Sequence, residues 1–180
     1  MAAYDWRIEG IAAVSAAYNR RMRFAVVTIS DRCSRGEMTD TAGPAAVALL
    51  KQQWPDAAID AALLPDEEDA IADLLTQFAE EGAALVITVG GTGFGPRDRT
   101  PEATRRVIDR EAPGLAEAMR VNGAAQTPYA WLSRGVAGLK GSTLIVNLPG
   151  SKRAAEQSLA SILALLTHAL DVVAGGQLHP

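Results

Sequence analysis

The chain has 180 residues, of which 48% are hydrophobic and 21% charged, and its formal net charge is -4. Such a length favours one domain of ordinary globular composition. The acidic balance argues against a general nucleic-acid binder, the single cysteine, Cys33, allows no intrachain disulfide or cysteine-built zinc site, and no apolar run is long enough to span a bilayer.

Residues 1–22 read as an N-terminal extension. The mildly apolar stretch Ile11–Ala17 follows Asp5 and Glu9 and precedes Arg20 and Arg21, the reverse of the charge order of a signal peptide. A cytoplasmic location is therefore expected. Residues 23–175 are expected to form the folded domain, with 176–180 as a tail. Phe24–Ser30 (FAVVTIS) is a continuous apolar, β-branched run, the pattern of a strand buried on both faces. Thr41–Trp54 reads as an Ala-rich helix ended by Pro55, and Ala58–Leu64 as a second strand. Glu67–Glu81 is an amphipathic helix with Ile71, Leu74, Leu75 and Phe78 on one face. Ala83–Val89 is a third buried strand, followed by the glycine-rich stretch Gly90–Gly95.

Pro101 opens the next helix, with Thr100 as its expected cap, and Pro113 opens one more, to about Asn122. Residues 123–134 read as irregular and Val136–Leu139 as a short edge strand. Ser142–Asn147 is a further central strand. Ser151–Ala174 is a long helix with Ala155, Leu159, Ile162, Leu163, Leu166, Leu170 and Val173 along one stripe. Strands alternating with helices predict an α/β fold of three layers around a mostly parallel sheet.

In such sheets ligands bind outside the carboxyl ends of the strands. The chemically distinctive residues fall there repeatedly: Ser30 and Asp31 after the first strand, Pro65 and Asp66 after the second, Gly90–Gly93 after the third, and Asn147–Ser151 after the last. Glycines let backbone amides approach an anion, and a following helix N-terminus adds positive potential. This makes Gly90, Gly91, Thr92 and Gly93, and equally Asn147, Pro149, Gly150 and Ser151, candidates for holding phosphate. The segment is neither a Walker A loop nor a dinucleotide fingerprint, because it has no Gly-Lys-Ser/Thr and the wrong glycine spacing.

Asp98 offers a carboxylate suited to Mg²⁺. Asp66 reads either as a helix cap or as a second carboxylate on the ligand edge. Lys152 and Arg153 read as solvated helix residues that could also meet phosphate, and Ser133 and Arg134 as part of a surface loop. His168 lies inside the long helix and His179 in the tail, so neither fits a hydrolase triad. Trp54, Tyr129 and Trp131 read as packing residues, the last two also as stacking platforms for a ring.

Six segments in this order resemble the molybdopterin adenylyltransferase family, the MogA/MoaB-like proteins of molybdenum cofactor biosynthesis. They are TISDRCSRGEMTDTAGP (Thr28–Pro44), LLPDE (Leu63–Glu67), TVGGTGFGPRDRTPEAT (Thr88–Thr104), PGLAEAMR (Pro113–Arg120), LSRGVAG (Leu132–Gly138) and LIVNLPGS (Leu144–Ser151). The resemblance runs from about Arg23 to Ala174, and it departs at Lys152, near which family members often carry Pro. It implies transfer of AMP from ATP to the terminal phosphate of molybdopterin, with release of pyrophosphate. It implies Asp66 and Asp98 as the essential acidic pair holding Mg²⁺. Ser30, Asp31 and Ser34 match the family's first loop, and Ser133 and Arg134 its LSR segment, which implies contacts to the pterin or nucleotide. It also implies a homo-oligomer, with a trimer favoured, and handover of product to a molybdenum-insertion protein. The alternative is a non-catalytic molybdopterin-binding module, because the fold also occurs as a domain of larger proteins.

Overall fold

A computed structural model of the chain describes residues 22–176. Residues 1–21 of the expected extension and 177–180 of the tail, with His179, lie outside them.

Apart from the two-residue β4, the strands form at apolar or alternating runs that can pack against the layers of a sheet. They are β1 (Arg23–Ile29), β2 (Ala58–Leu64), β3 (Leu85–Val89), β4 (Arg110–Glu111), β5 (Ala137–Lys140) and β6 (Thr143–Leu148), in the spatial order β2-β1-β3-β6-β5-β4. The pairs β1–β2, β1–β3 and β3–β6 are parallel, whereas β5 pairs antiparallel with both β6 and β4. The helices are α1 (Asp31–Ser34), α2 (Ala42–Gln53), α3 (Glu68–Glu80), α4 (Thr100–Val107), α5 (Pro113–Ala124) and α6 (Lys152–Val173), with a 3₁₀ turn at Pro128–Leu132.

The period-2 geometry of the strands sorts the core into two layers. Phe24, Val26, Leu85, Ile87, Leu144, Val146 and Leu148 face one side, where α2, α5 and α6 cover them. Ala25, Val27, Ile29, Val86 and Ile145 face the other, against α3 and α4. The stripe predicted on α6 is realised along its centre, where Ala155, Leu159, Ile162, Leu166 and Leu170 are buried, while Leu163 and Val173 at its margins are only half-buried. Burying each large aliphatic side chain contributes about 1.5–3 kcal/mol. Trp54 packs edge-on against Phe24, with ring centroids 5.2 Å apart. The result is the expected three-layer α/β/α fold with a mostly parallel sheet.

Three local expectations change. Val136–Leu139 was expected at a sheet edge, but β5 is internal, because the two-residue strand β4 pairs outside it. A two-residue strand carries no periodicity that a sequence could reveal. Thr100 is not the cap of α4: it lies in the first turn, and its hydroxyl donates to the Gly90 carbonyl at 2.9 Å. The four-residue helix α1 was also not expected, and Ser30 caps it by accepting the Cys33 amide.

What positions the site is the strand order. The chain leaves β1 for β2 on one side and then crosses to β3 on the other. The order reverses between β1 and β3, and at such a switch point the loops leaving the carboxyl ends diverge and open a crevice.

Candidate active site

Two glycine-rich loops form the floor of this crevice. Gly90 and Gly91 have φ of +111° and +62°, a region favourable only to glycine. The space is closed as well: a Cβ on Gly90 would fall 2.2 Å from the Ile29 carbonyl oxygen, and one on Gly91 2.2 Å from the Thr100 hydroxyl. The second loop crosses the first at Gly150, where a Cβ would come 3.2 Å from the Gly90 Cα, and Gly90 donates its amide to Leu148 O at 3.1 Å. Residues separated by some sixty positions in sequence therefore share one rim. Among the described residues, the amides of Gly91, Thr92, Gly93, Gly150 and Ser151 find no protein acceptor, and all five residues line a cavity. Unpaired amides gathered in this way are donors available to an anion.

A cavity of about 330 Å³ opens above the β1, β2 and β3 ends, and both Asp66 and Asp98 line it, together with Ser30 and Asp40. Asp66 does not cap α3, whose first turn carries no side-chain cap. Its Oδ2 accepts the Asp31 amide at 2.8 Å, while its Oδ1 lies against Gly91. Burial pushes the Asp66 carboxyl above its ordinary value; the Asp31 amide opposes this, and the nearby charges of Asp31 and Asp98 add to it. Asp98 is held by the Gly95 amide, which donates to its Oδ2 at 2.7 Å. No group of three or more His, Cys, Asp or Glu suited to a metal occurs among the described residues. Two carboxylates that repel one another in one cavity still fit Mg²⁺, which commonly takes one or two protein carboxylates and completes its shell with water and substrate phosphate.

A second cavity of about 500 Å³ adjoins the first and shares Gly91, Asp98, Gly150 and Ser151 with it. Its far walls come from α5, α6 and the 3₁₀ turn, including Met119, Tyr129 and Leu132. Ser133, Asn147 and Pro149 also line this cavity. Tyr129 is 76% exposed at its mouth, whereas Trp131 is exposed but does not line it.

Several sequence candidates are already engaged by protein partners. Asp31 receives Arg97 in a two-pronged ion pair, with Nε to Oδ2 at 3.0 Å and Nη2 to Oδ1 at 3.1 Å, which holds its carboxyl below the ordinary value. Neither Asp31 nor Ser34 lines either cavity, and the Ser34 hydroxyl donates to Asp31 O. Asn147 is almost fully buried, with Nδ2 donating to the Thr88 and Thr104 hydroxyls at 2.9 Å each and Oδ1 accepting the Val136 amide. Ser133 accepts the Gly135 amide, and Ser151 caps α6 through the Ala154 amide. Lys152 lines the smaller cavity.

Two residues of the cavity walls were not singled out from the sequence. Asp40 accepts the Thr28 hydroxyl on Oδ2 and the Ala42 and Gly43 amides on Oδ1, so it starts α2 and shapes the smaller cavity together. The Asp-Thr-Ala-Gly-Pro run that opens this helix is an available signal. Arg120 lines the larger cavity and donates to the Gly135 carbonyl at 3.2 Å. It ends the segment Pro113–Arg120, which the sequence marks as helical and as part of the family resemblance without giving the arginine a role.

Residues 25–168 match the family described as "Probable molybdopterin binding domain". The chain is 41% identical over 151 residues to the molybdenum cofactor synthesis protein cinnamon of Drosophila melanogaster, covering 83% of this chain and 25% of that protein. It is 39% identical over 143 residues to the molybdopterin adenylyltransferase of Haemophilus influenzae, covering 78% of this chain and 73% of that one. The solved structure of the molybdopterin biosynthesis enzyme MoaB of Thermus thermophilus superposes with a TM-score of 0.80 at 48% identity, covering 86% of this chain and 97% of that one. The chain spans between 22% and 47% of the length of three of the curated relatives it matches.

Proposed function

We propose, for a chain that belongs to the family of probable molybdopterin binding domains and hence to molybdenum cofactor biosynthesis, that it is a molybdopterin adenylyltransferase. In this reading an oxygen of the terminal phosphate of molybdopterin attacks the α-phosphorus of ATP. The bond from that phosphorus to the bridging β-oxygen breaks, and pyrophosphate leaves. The observation that carries the reading is the placement of Asp66 and Asp98 on one cavity whose rim is built from the unpaired amides of two glycine loops.

Each part has a task that its chemistry suits. The amides of Gly91, Thr92, Gly93, Gly150 and Ser151 grip phosphate oxygens without adding bulk, and fixed donors of this kind stabilise charge that shifts during transfer. The two adjoining cavities give the two reactants separate seats with a shared wall at Asp98 and Gly150, which turns a meeting of two polyanions into a positioned encounter. Ser30 lies on the wall of the smaller cavity, and Ser133 on that of the larger one. Asp66 and Asp98 would hold Mg²⁺, which when bound offsets repulsion between the reactants and polarises the phosphoryl oxygens. No covalent enzyme intermediate is needed. A cytoplasmic homo-oligomer, a trimer by resemblance, that hands its product to a molybdenum-insertion protein belongs to the same reading.

The test is to mix the protein with molybdopterin, ATP and Mg²⁺ and follow pyrophosphate. Release that depends on all three supports the enzyme. The second reading, a binding module without catalysis, is favoured by the place of the similar region within much longer relatives. It predicts pterin binding with no AMP transfer.

A further inference from the structure

We propose that Arg134 is a positioning residue that clamps the Asp98 loop from behind, with Glu102 as its anchor, and that it makes no contact with either reactant. The proposal rests on the adenylyltransferase reading for its kinetic consequence, but not for its structural one.

Arg134 grips the loop at three of its carbonyls. Its amide donates to Thr92 O at 2.9 Å, its Nε to Gly93 O at 2.6 Å and its Nη2 to Asp98 O at 2.6 Å. Its Nη1 is paired with Glu102, one turn into the helix that follows the loop. All three guanidinium nitrogens therefore have protein partners, and the side chain is mostly covered. Burial resists ionisation of Glu102, but the Arg134 bond and its own backbone amide outweigh that and hold the carboxyl below its ordinary value. The second Glu102 oxygen is buried without a partner, so this carboxylate is committed to the guanidinium rather than to solvent.

The location supports the same conclusion. Arg134 lines neither of the two cavities assigned to the reactants. It lines a separate concavity with Phe94, Pro96, Arg99 and Glu102, on which Asp98 also borders. Asp98 thus stands between the reactants on one side and the guanidinium on the other. Only a planar fork can reach two loop carbonyls and a carboxylate at once, which a lysine ammonium cannot do from one point. The clamp therefore depends on shape rather than on charge, whereas a phosphate contact would be served in part by any cation.

The experiment compares Arg134→Lys and Arg134→Gln with the parent, measuring amide hydrogen exchange over residues 92–98, molybdopterin affinity and pyrophosphate release. Both variants should raise exchange in that segment, leave the pterin dissociation constant within about twofold, and lower kcat by roughly ten- to a hundredfold, the scale of a small misplacement. Lysine should not rescue. Glu102→Ala, which removes the anchor and leaves the arginine, should shift the same exchange in the same direction. It serves if the Arg134 variants fail to fold. Unchanged exchange, or a lysine variant of near-parental kcat, overturns the proposal, as does a raised KM with kcat intact. If the parent releases no pyrophosphate, the adenylyltransferase reading falls, and the exchange data still decide the clamp.

Discussion

Asp31 and Asp66 exchange hydrogen bonds reciprocally: the Asp31 amide donates to Asp66 Oδ2 at 2.8 Å, and the Asp66 amide donates to Asp31 Oδ1 at 3.1 Å. They follow strands paired in parallel register, with Ile29 opposite Leu64. Each aspartate thus caps the loop of the other, but their fates differ. Arg97 neutralises Asp31, while Asp66 turns its second oxygen toward Gly91 and the cavity it shares with Asp98. One carboxylate is engaged by Arg97, and the other keeps an oxygen directed toward the cavity.

That division predicts the behaviour of amide substitutions. Asp66→Asn and Asp98→Asn change charge with little change of shape. Each should lower adenylylation by about a hundredfold or more, the scale of losing one preorganised electrostatic group. Pterin affinity, measured by fluorescence titration, should stay within a few fold. Normal turnover in either variant would remove the metal role from that residue.

Asp66 should also trade stability for function. Its folded pKa lies above its unfolded one, so the folded state holds the proton more tightly. Ionisation therefore costs stability. The cost is absent below the unfolded value, grows as pH rises from there, and is complete above the folded value. Asp66→Asn removes it, so the melting temperature should rise relative to the parent near neutral pH, with the difference fading in acid. A variant less stable at neutral pH contradicts the assignment.

Arg97→Gln should show the opposite sign. The guanidinium depresses the Asp31 pKa, so the stability it adds is present above the unfolded aspartate value and is lost as pH falls through the folded one. The variant should melt below the parent at neutral pH and converge with it in acid. The pair is half-exposed, so added salt should shrink the difference as well. Equal melting temperatures at neutral pH and low salt would show that the pair contributes nothing.

Asn147→Ala tests the crosspiece beneath the loops. It strands the Val136 amide and removes the partner of two buried threonine hydroxyls. Leaving buried polar groups unpaired costs about 1–3 kcal/mol each where nothing relaxes, so a loss of roughly 3 kcal/mol is expected. Urea denaturation reads it as a lowered midpoint at unchanged slope. A loss below about 1 kcal/mol would mean that water or the threonines re-pair without it.

Much of this was legible in the chain itself. The apolar runs place β1, β2, β3 and β6, and the strand ends alone put Asp66, Gly90–Gly93 and Gly150–Ser151 on one edge. Those signals are local: a strand's periodicity and a glycine's freedom belong to neighbouring residues. By its loop position Arg134 reads as a surface residue, and by resemblance as a ligand contact, whereas the fold turns it inward to Glu102, 32 positions away in sequence. Asp31 likewise meets Arg97 across 66 positions. Residue types and spacing determined which groups could carry charge to the rim. Which of them face the cavities, and which are spent holding the loops, was settled by strand order and long-range partners, because a hydrogen bond is fixed by proximity in space and the local pattern of a chain does not encode it.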